Sequence, residues 1–264
     1  MMAFAETRSS RSSLRDPSSA QYQAVEWLAQ DKVDHGSNWS GYELLQRYVL
    51  RVLYHSTDDV NWKSTVTSSL FDGSSVCDWG SNNVQCNGAG GQQVDYIFLD
   101  NAGLEGTIPP ELGLLTALTL LDLDVSRLSG TIPSELGGLT RLTKLSLVSN
   151  RLVGTIPSQL GQLTLLITLS LWANQLTGAI PNALAQLTRL DILELDRNNL
   201  IGKVPPGFCF SPFPNWRAST FDGNSLRADC MSEVICDCCD FCYDAIGRQF
   251  CWDGSGFTDD IFSC

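Results

Sequence analysis

The chain has 264 residues, 43% of them apolar, and a formal net charge of −12 from 29 acidic against 17 basic side chains. That length and apolar share allow a buried core and exclude bulk disorder. The charge excludes the basic footprint that nucleic acid requires and disfavours adsorption to anionic lipid.

From the N-terminus, residues 1–17 are rich in Ser and Arg, show no periodicity and are predicted to be disordered. Residues 1–8 lack the apolar run of a secretion signal, and no 18-residue apolar stretch exists, so no membrane insertion by this chain is expected. Apolar spacing predicts a short helix over 21–29, using Tyr22, Val25, Trp27 and Leu28. A second helix opens with the capping box Ser40-Gly41-Tyr42-Glu43 and continues through Leu44, Leu45, Tyr48, Val49, Val52 and Leu53. Between them, Asn38-Trp39-Ser40 is a sequon that makes Asn38 a candidate glycosylation site. Residues 18–93 thus read as a helical N-terminal cap.

Residues 94–208 repeat themselves without gaps every 24 residues, in five copies opening at Val94, Leu118, Leu142, Leu166 and Leu190. Position four of each copy is Ile97, Leu121, Leu145, Leu169 or Leu193, and position six is Leu99, Leu123, Leu147, Leu171 or Leu195. Two residues apart, these side chains share one face of a short strand, and the strands bury that face only by stacking. Position nine turns the chain. Asn150, Asn174 and Asn198 can satisfy backbone groups inside the bend; Ser126 can do so partly and Ala102 cannot. Glycines such as Gly130, followed by pairs such as Ile132-Pro133, then end the pairing.

The repeat L-x-x-L-x-L-x-x-N-x-L-x-G-x-I-P-x-x-L-G-x-L-x-x resembles the plant-specific class of leucine-rich repeat, found in receptor-like kinase ectodomains and polygalacturonase-inhibiting proteins. The caps are similar to those of leucine-rich-repeat proteins from diatom algae. The resemblance implies an α/β solenoid with a parallel concave sheet, one strand per repeat. It also implies a bond between Cys77 and Cys86, because Cys77-Asp78-Trp79 followed by Cys86 resembles the N-terminal cap of that class. After Pro205 the frame breaks, with Phe208 in a leucine place and Cys209 in the glycine place, so residues 209–264 read as a cysteine-rich C-terminal cap.

That cap holds Cys209, Cys230, Cys236, Cys238, Cys239, Cys242, Cys251 and Cys264, and no cysteine falls between 87 and 208. An even set flanking a cysteine-free core reads as disulfides formed in an oxidising, extracellular or cell-surface compartment, with 105 pairings open to the last eight. Cys239-x-x-Cys242 has zinc spacing, but no second such pair accompanies it and His35 and His55 lie far away, so no metal is expected. With disulfides expected and a secretion signal lacking, the chain is expected to be part of a longer protein.

The resemblance places ligand binding on the strand positions that face away from the core. Among these, Tyr96, Phe98, Leu120, Val148, Ile167 and Trp172 form an apolar strip, flanked by Asp100, Asp122, Asp124, Glu194 and Asp196. Clustered apolar side chains of this kind mark an interface, and the carboxylates favour a partner with a basic rim. The expected function is non-catalytic recognition of a protein, a peptide or a glycan by a receptor or adhesion ectodomain. A secreted inhibitor of a foreign cell-wall hydrolase and a structural cell-surface component are the alternatives. Paired carboxylates on an open sheet lack a desolvated pocket, and no nucleophile–base pair or nucleotide fingerprint is present, so neither catalysis nor a cofactor is expected.

Overall fold

The computed structural model describes residues 2–35, 39–58, 61–63, 75–78, 83–86 and 93–202, together with three short strands near the C-terminus. Three helices open the chain: α1 (Met2–Ala5), α2 (Ala20–His35) and α3 (Gly41–Ser56). Residues 2–17 do not form the disordered leader expected of them. Ala5 and Leu14 are buried, and Phe4 meets Tyr48 edge-on with ring centroids 6.1 Å apart. The Ser9 hydroxyl bonds Tyr48 Oη at 2.8 Å and also donates to Glu111 Oε1. The composition reads as disorder because these partners lie 39 and 102 residues away.

Ser40 caps α3 by accepting the Glu43 N–H at 3.2 Å. The Glu43 carboxylate accepts from Arg47 Nε at 2.9 Å and from the Val76 N–H at 3.0 Å. Arg47, only 1% exposed, also pairs with Asp31 of α2 at 2.7 Å. This buried pair fixes the two helices against each other, and removing one partner would leave the other charge uncompensated. The disulfide Cys77–Cys86 is formed, with the Cα atoms 5.3 Å apart.

The strands follow as β1 (Val84–Gln85), β2 (Tyr96–Phe98), β3 (Glu105–Thr107), β4 (Leu120–Asp122), β5 (Arg127–Ser129) and β6 (Lys144–Ser146). Next come β7 (Val153–Thr155), β8 (Thr168–Ser170), β9 (Gln175–Gly178), β10 (Ile192–Glu194) and β11 (Asn199–Leu200). The inner sheet has the order β1-β2-β4-β6-β8-β10, with β1 antiparallel at the edge and all other pairs parallel. Its register sets Ile97, Leu121, Leu145, Leu169 and Leu193 side by side. The 24-residue period dictates this, since one coil advances the chain by one strand. On the opposite side β3 pairs with β5, and β7, β9 and β11 pair in turn.

In the chain, 3-10 turns at Pro110–Leu114, Ser134–Gly138, Ser158–Gln162 and Asn182–Gln186 link each outer strand to the next inner one, and they stack from coil to coil. Pro109, Pro133, Pro157 and Pro181 precede them, fixing φ and withholding a donor. The turns approach so closely that a Cβ on Gly113 would run into the Glu135 carbonyl oxygen. The repeat leucines and isoleucines fill the space between, mostly fully buried.

Asn150, Asn174 and Asn198 form a ladder through the bends. Asn174 Oδ1 accepts the Leu152 N–H at 3.1 Å, while its Nδ2 donates to the carbonyls of Leu147 (2.8 Å) and Leu171 (3.0 Å). Ala102 lacks this bond, and its carbonyl instead accepts the Lys63 N–H at 2.9 Å. The residue before each ladder position has positive φ: Asn101 (52°), Val125 (50°), Ser149 (54°), Ala173 (56°) and Arg197 (50°). Position eight is therefore part of a left-handed bend rather than of the strand.

Near the C-terminus β12 (Cys242–Tyr243), β13 (Gln249–Trp252) and β14 (Phe257–Thr258) form an antiparallel sheet. Cys242 and Cys251 fall on its strands, whereas Cys209, Cys230, Cys236, Cys238, Cys239, Cys264 and Asn38 lie outside the described residues. Among the described residues, no helix is long and apolar enough to cross a membrane.

Candidate functional site

Positions three, five and seven of each repeat face the concave side of the inner sheet, held by β2, β4, β6, β8 and β10. At one end Tyr96 and Phe98 stack, with centroids 6.2 Å apart and planes 24° from parallel. Leu120 lies beside Tyr96 in register and is likewise half-buried. Toward the other end half-buried Trp172 carries the Arg197 guanidinium 5.5 Å from its ring centroid, while Ile167, at position two and just before β8, is 45% exposed. Asp100 is exposed, and Glu194 and Asp196 are half-buried.

The middle of the face departs from the exposed strip read from the sequence. Val148 is only 7% exposed and Asp122 only 2%, so neither presents much surface. Curvature explains this, because a concave sheet crowds its inner side chains against those of neighbouring coils. Asp122 Oδ2 is 2.6 Å from Lys144 Nζ, and its Oδ1 accepts the Asp124 N–H at 3.3 Å. Asp124 Oδ2 accepts from the Ser146 hydroxyl at 2.6 Å, and Oδ1 accepts the Val148 N–H at 2.6 Å. Ser146 and Ser170, both nearly fully buried, form a floor of small side chains between the aromatic end and Trp172.

Burial pushes the Asp124 carboxyl up to about 6; the Ser146 hydrogen bond opposes this, the Asp122 charge adds to it, and the Val148 N–H and Lys144 oppose it. Burial pulls the Lys144 ammonium down, but the Asp122 hydrogen bond and charge, helped by Asp124 and Tyr96, set its net shift upward. The site thus includes Lys144, Ser146 and Ser170, outward strand positions that the sequence marks as exposed but does not single out for ligand binding. Lys144 and Asp122 sit at different repeat positions, so only a diagonal contact between adjacent coils joins them. Among the described residues no group of three or more His, Cys, Asp or Glu is placed to hold a metal ion.

A family model described as leucine rich repeat matches residues 140–200. No curated protein sequence matches significantly. Among solved structures, a chain of the BIR3–SERK2 complex from Arabidopsis thaliana is 34% identical, with 61% of this chain and 86% of that one covered and a TM-score of 0.54. The BIR2 ectodomain from Arabidopsis thaliana is also 34% identical over 61% of this chain and 84% of that one, at a TM-score of 0.55. A plant ice-binding protein is 30% identical over 66% of this chain and 54% of that one, at 0.57. With its repeat, its stacked coils and these likenesses together, the chain belongs to the leucine-rich-repeat family, in its plant receptor type.

Proposed function

We propose that this protein is a non-catalytic recognition module of an extracellular or cell-surface protein, binding a protein or peptide along its concave sheet. The observation that carries the reading is the row of incompletely buried apolar side chains on a rigid scaffold: the Tyr96–Phe98 stack, Leu120 and Trp172. Large aromatics that a partner can desolvate dominate binding energy. The similar chain from the BIR3–SERK2 complex supports a protein partner, since that structure is itself an assembly of two proteins. Asp100, Glu194 and Asp196 on the outer part of the face favour a cationic rim on that partner, chiefly through association rate. Five parallel strands span about 20 Å, the reach of a short extended segment.

A random peptide library displayed on phage and panned against the purified protein tests this. Selected peptides should bind the Trp172→Ala protein at least about 30-fold more weakly, mainly through faster dissociation. They should bind the outer-face variant Thr155→Ala as they bind wild type. Selected peptides that ignore Trp172→Ala and Phe98→Ala but lose binding to Thr155→Ala would overturn the reading.

A second reading rests on the outer face. Thr107, Thr131 and Thr155 are exposed there at the same place in three successive coils, and Ala179 takes that place in the fourth. The likeness to a plant ice-binding protein gives this regular hydroxyl and methyl array a candidate target in ice. Thermal hysteresis measured on wild type and Thr131→Lys decides it: no hysteresis in the wild type rules ice binding out.

A further inference from the structure

We infer that the Asp122–Lys144–Asp124–Ser146 cluster makes the recognition face pH-responsive, its charge and hydrogen-bond pattern changing when Asp124 takes up a proton. This regulation of the concave site rests on reading that site as the recognition surface. Two carboxylates and one ammonium share the middle of the floor. The ammonium of Lys144 is committed to Asp122, 2.6 Å away, while Asp124 is held by two neutral donors, the Ser146 hydroxyl and the Val148 N–H. An incoming proton therefore goes to Asp124, the carboxylate without its own cation.

The surrounding charges point the same way. Asp122 on the same strand and Asp100 in the same column of the preceding coil are acidic. On the following coil, that column holds the uncharged Val148, and among the described residues Lys144 is the cation drawn to the pair. Burial places the titration at about 6, inside the range that compartments and cell surfaces traverse.

Protonation has two consequences. The cluster's net charge goes from −1 to zero, which weakens attraction for a cationic partner placed over it. The Ser146–Asp124 bond also reverses: a carboxylate accepts from the serine hydroxyl, whereas a carboxylic acid can donate to the serine oxygen. The Ser146 hydroxyl hydrogen is then released from Asp124, and the Val148 N–H loses a charge-assisted acceptor.

The test is a titration of the whole protein by NMR, following the Asp124 carboxyl carbon and the Val148 amide from pH 4 to pH 8. Both should move together with a midpoint near 6. The amide step should vanish in Asp124→Asn, an isosteric change that keeps an acceptor for Val148. In Ser146→Ala, which removes a donor that favours the charged form, the midpoint should move upward. A midpoint below about 4.5, or an undiminished amide step in Asp124→Asn, overturns the inference.

A second arm measures binding of fluorescent hexalysine at low salt. Its dissociation constant should rise about three- to tenfold between pH 7 and pH 5 for wild type, and by less for Asp124→Asn. An equal rise in both breaks the coupling between Asp124 and the face. Absence of hexalysine binding at pH 7 counts against the cationic-partner reading alone, because the NMR titration reads the floor without any partner.

Discussion

The asparagine ladder offers a prediction that distinguishes its rungs. Asn174→Ala removes the acceptor of the Leu152 N–H and the donor to the Leu147 and Leu171 carbonyls. Those two carbonyls are shared: Asn150 also donates to Leu147 at 3.2 Å, and Asn198 to Leu171 at 3.0 Å. Only the Leu152 N–H loses its ladder partner outright, so the expected cost is about 2–4 kcal/mol, one stranded buried donor plus two weakened acceptors. Asn150→Ala strands more. Its Oδ1 serves the Leu128 N–H and its Nδ2 serves the Leu123 carbonyl, whereas Ser126 in the preceding rung donates to the Asp124 carbonyl instead. Losing Asn150 should therefore cost about 1 kcal/mol more than losing Asn174. Urea unfolding followed by tryptophan fluorescence measures both, with exchange of the Leu128 and Leu152 amides reporting the stranded donors. Asn199→Ala, on the exposed side of β11, is the control and should cost under about 0.5 kcal/mol. Equal losses at Asn150 and Asn174, or losses under 1 kcal/mol at both, would refute the shared-acceptor reasoning.

Three further expectations follow from the same structure. Leu147→Ala and Leu171→Ala, both fully buried between neighbouring coils, should each lose about 2–5 kcal/mol, while Ser149→Ala in the bend should lose under about 0.5 kcal/mol; chemical denaturation ranks them. Val125 holds φ at 50° with a β-branched, 51% exposed side chain, so Val125→Asn should raise stability by about 1 kcal/mol, read as a higher urea midpoint. The raised Asp124 carboxyl means that the folded protein holds this proton more tightly than the unfolded chain does. Its contribution to stability therefore falls as pH rises from about 4 to about 6 and is flat above. Asp124→Asn should remove that fall, so urea midpoints taken from pH 4 to pH 7 should favour the variant increasingly relative to wild type.

The sequence by itself determined whatever repeats. A 24-residue period with leucines at positions four, six and eleven specifies the stacked coils, because each coil meets nearly the same neighbours as the last. The in-register sheet and the ladder of Asn150, Asn174 and Asn198 follow from that periodicity. The capping box at Ser40 was legible as a local signal, although Glu43 bonds Arg47 and the Val76 N–H. Tertiary structure decided what does not repeat. Residues 2–17 pack because Ser9, Phe4 and Leu14 find partners on α2, α3 and the first coil, and no local pattern announces a contact across 102 residues. Period alone assigns Val148, Asp122, Ile167 and Trp172 to one class of outward position. Their exposures differ because curvature and the size of the neighbour on the next coil set them, and the diagonal Lys144–Asp122 bond exists only once two coils are stacked.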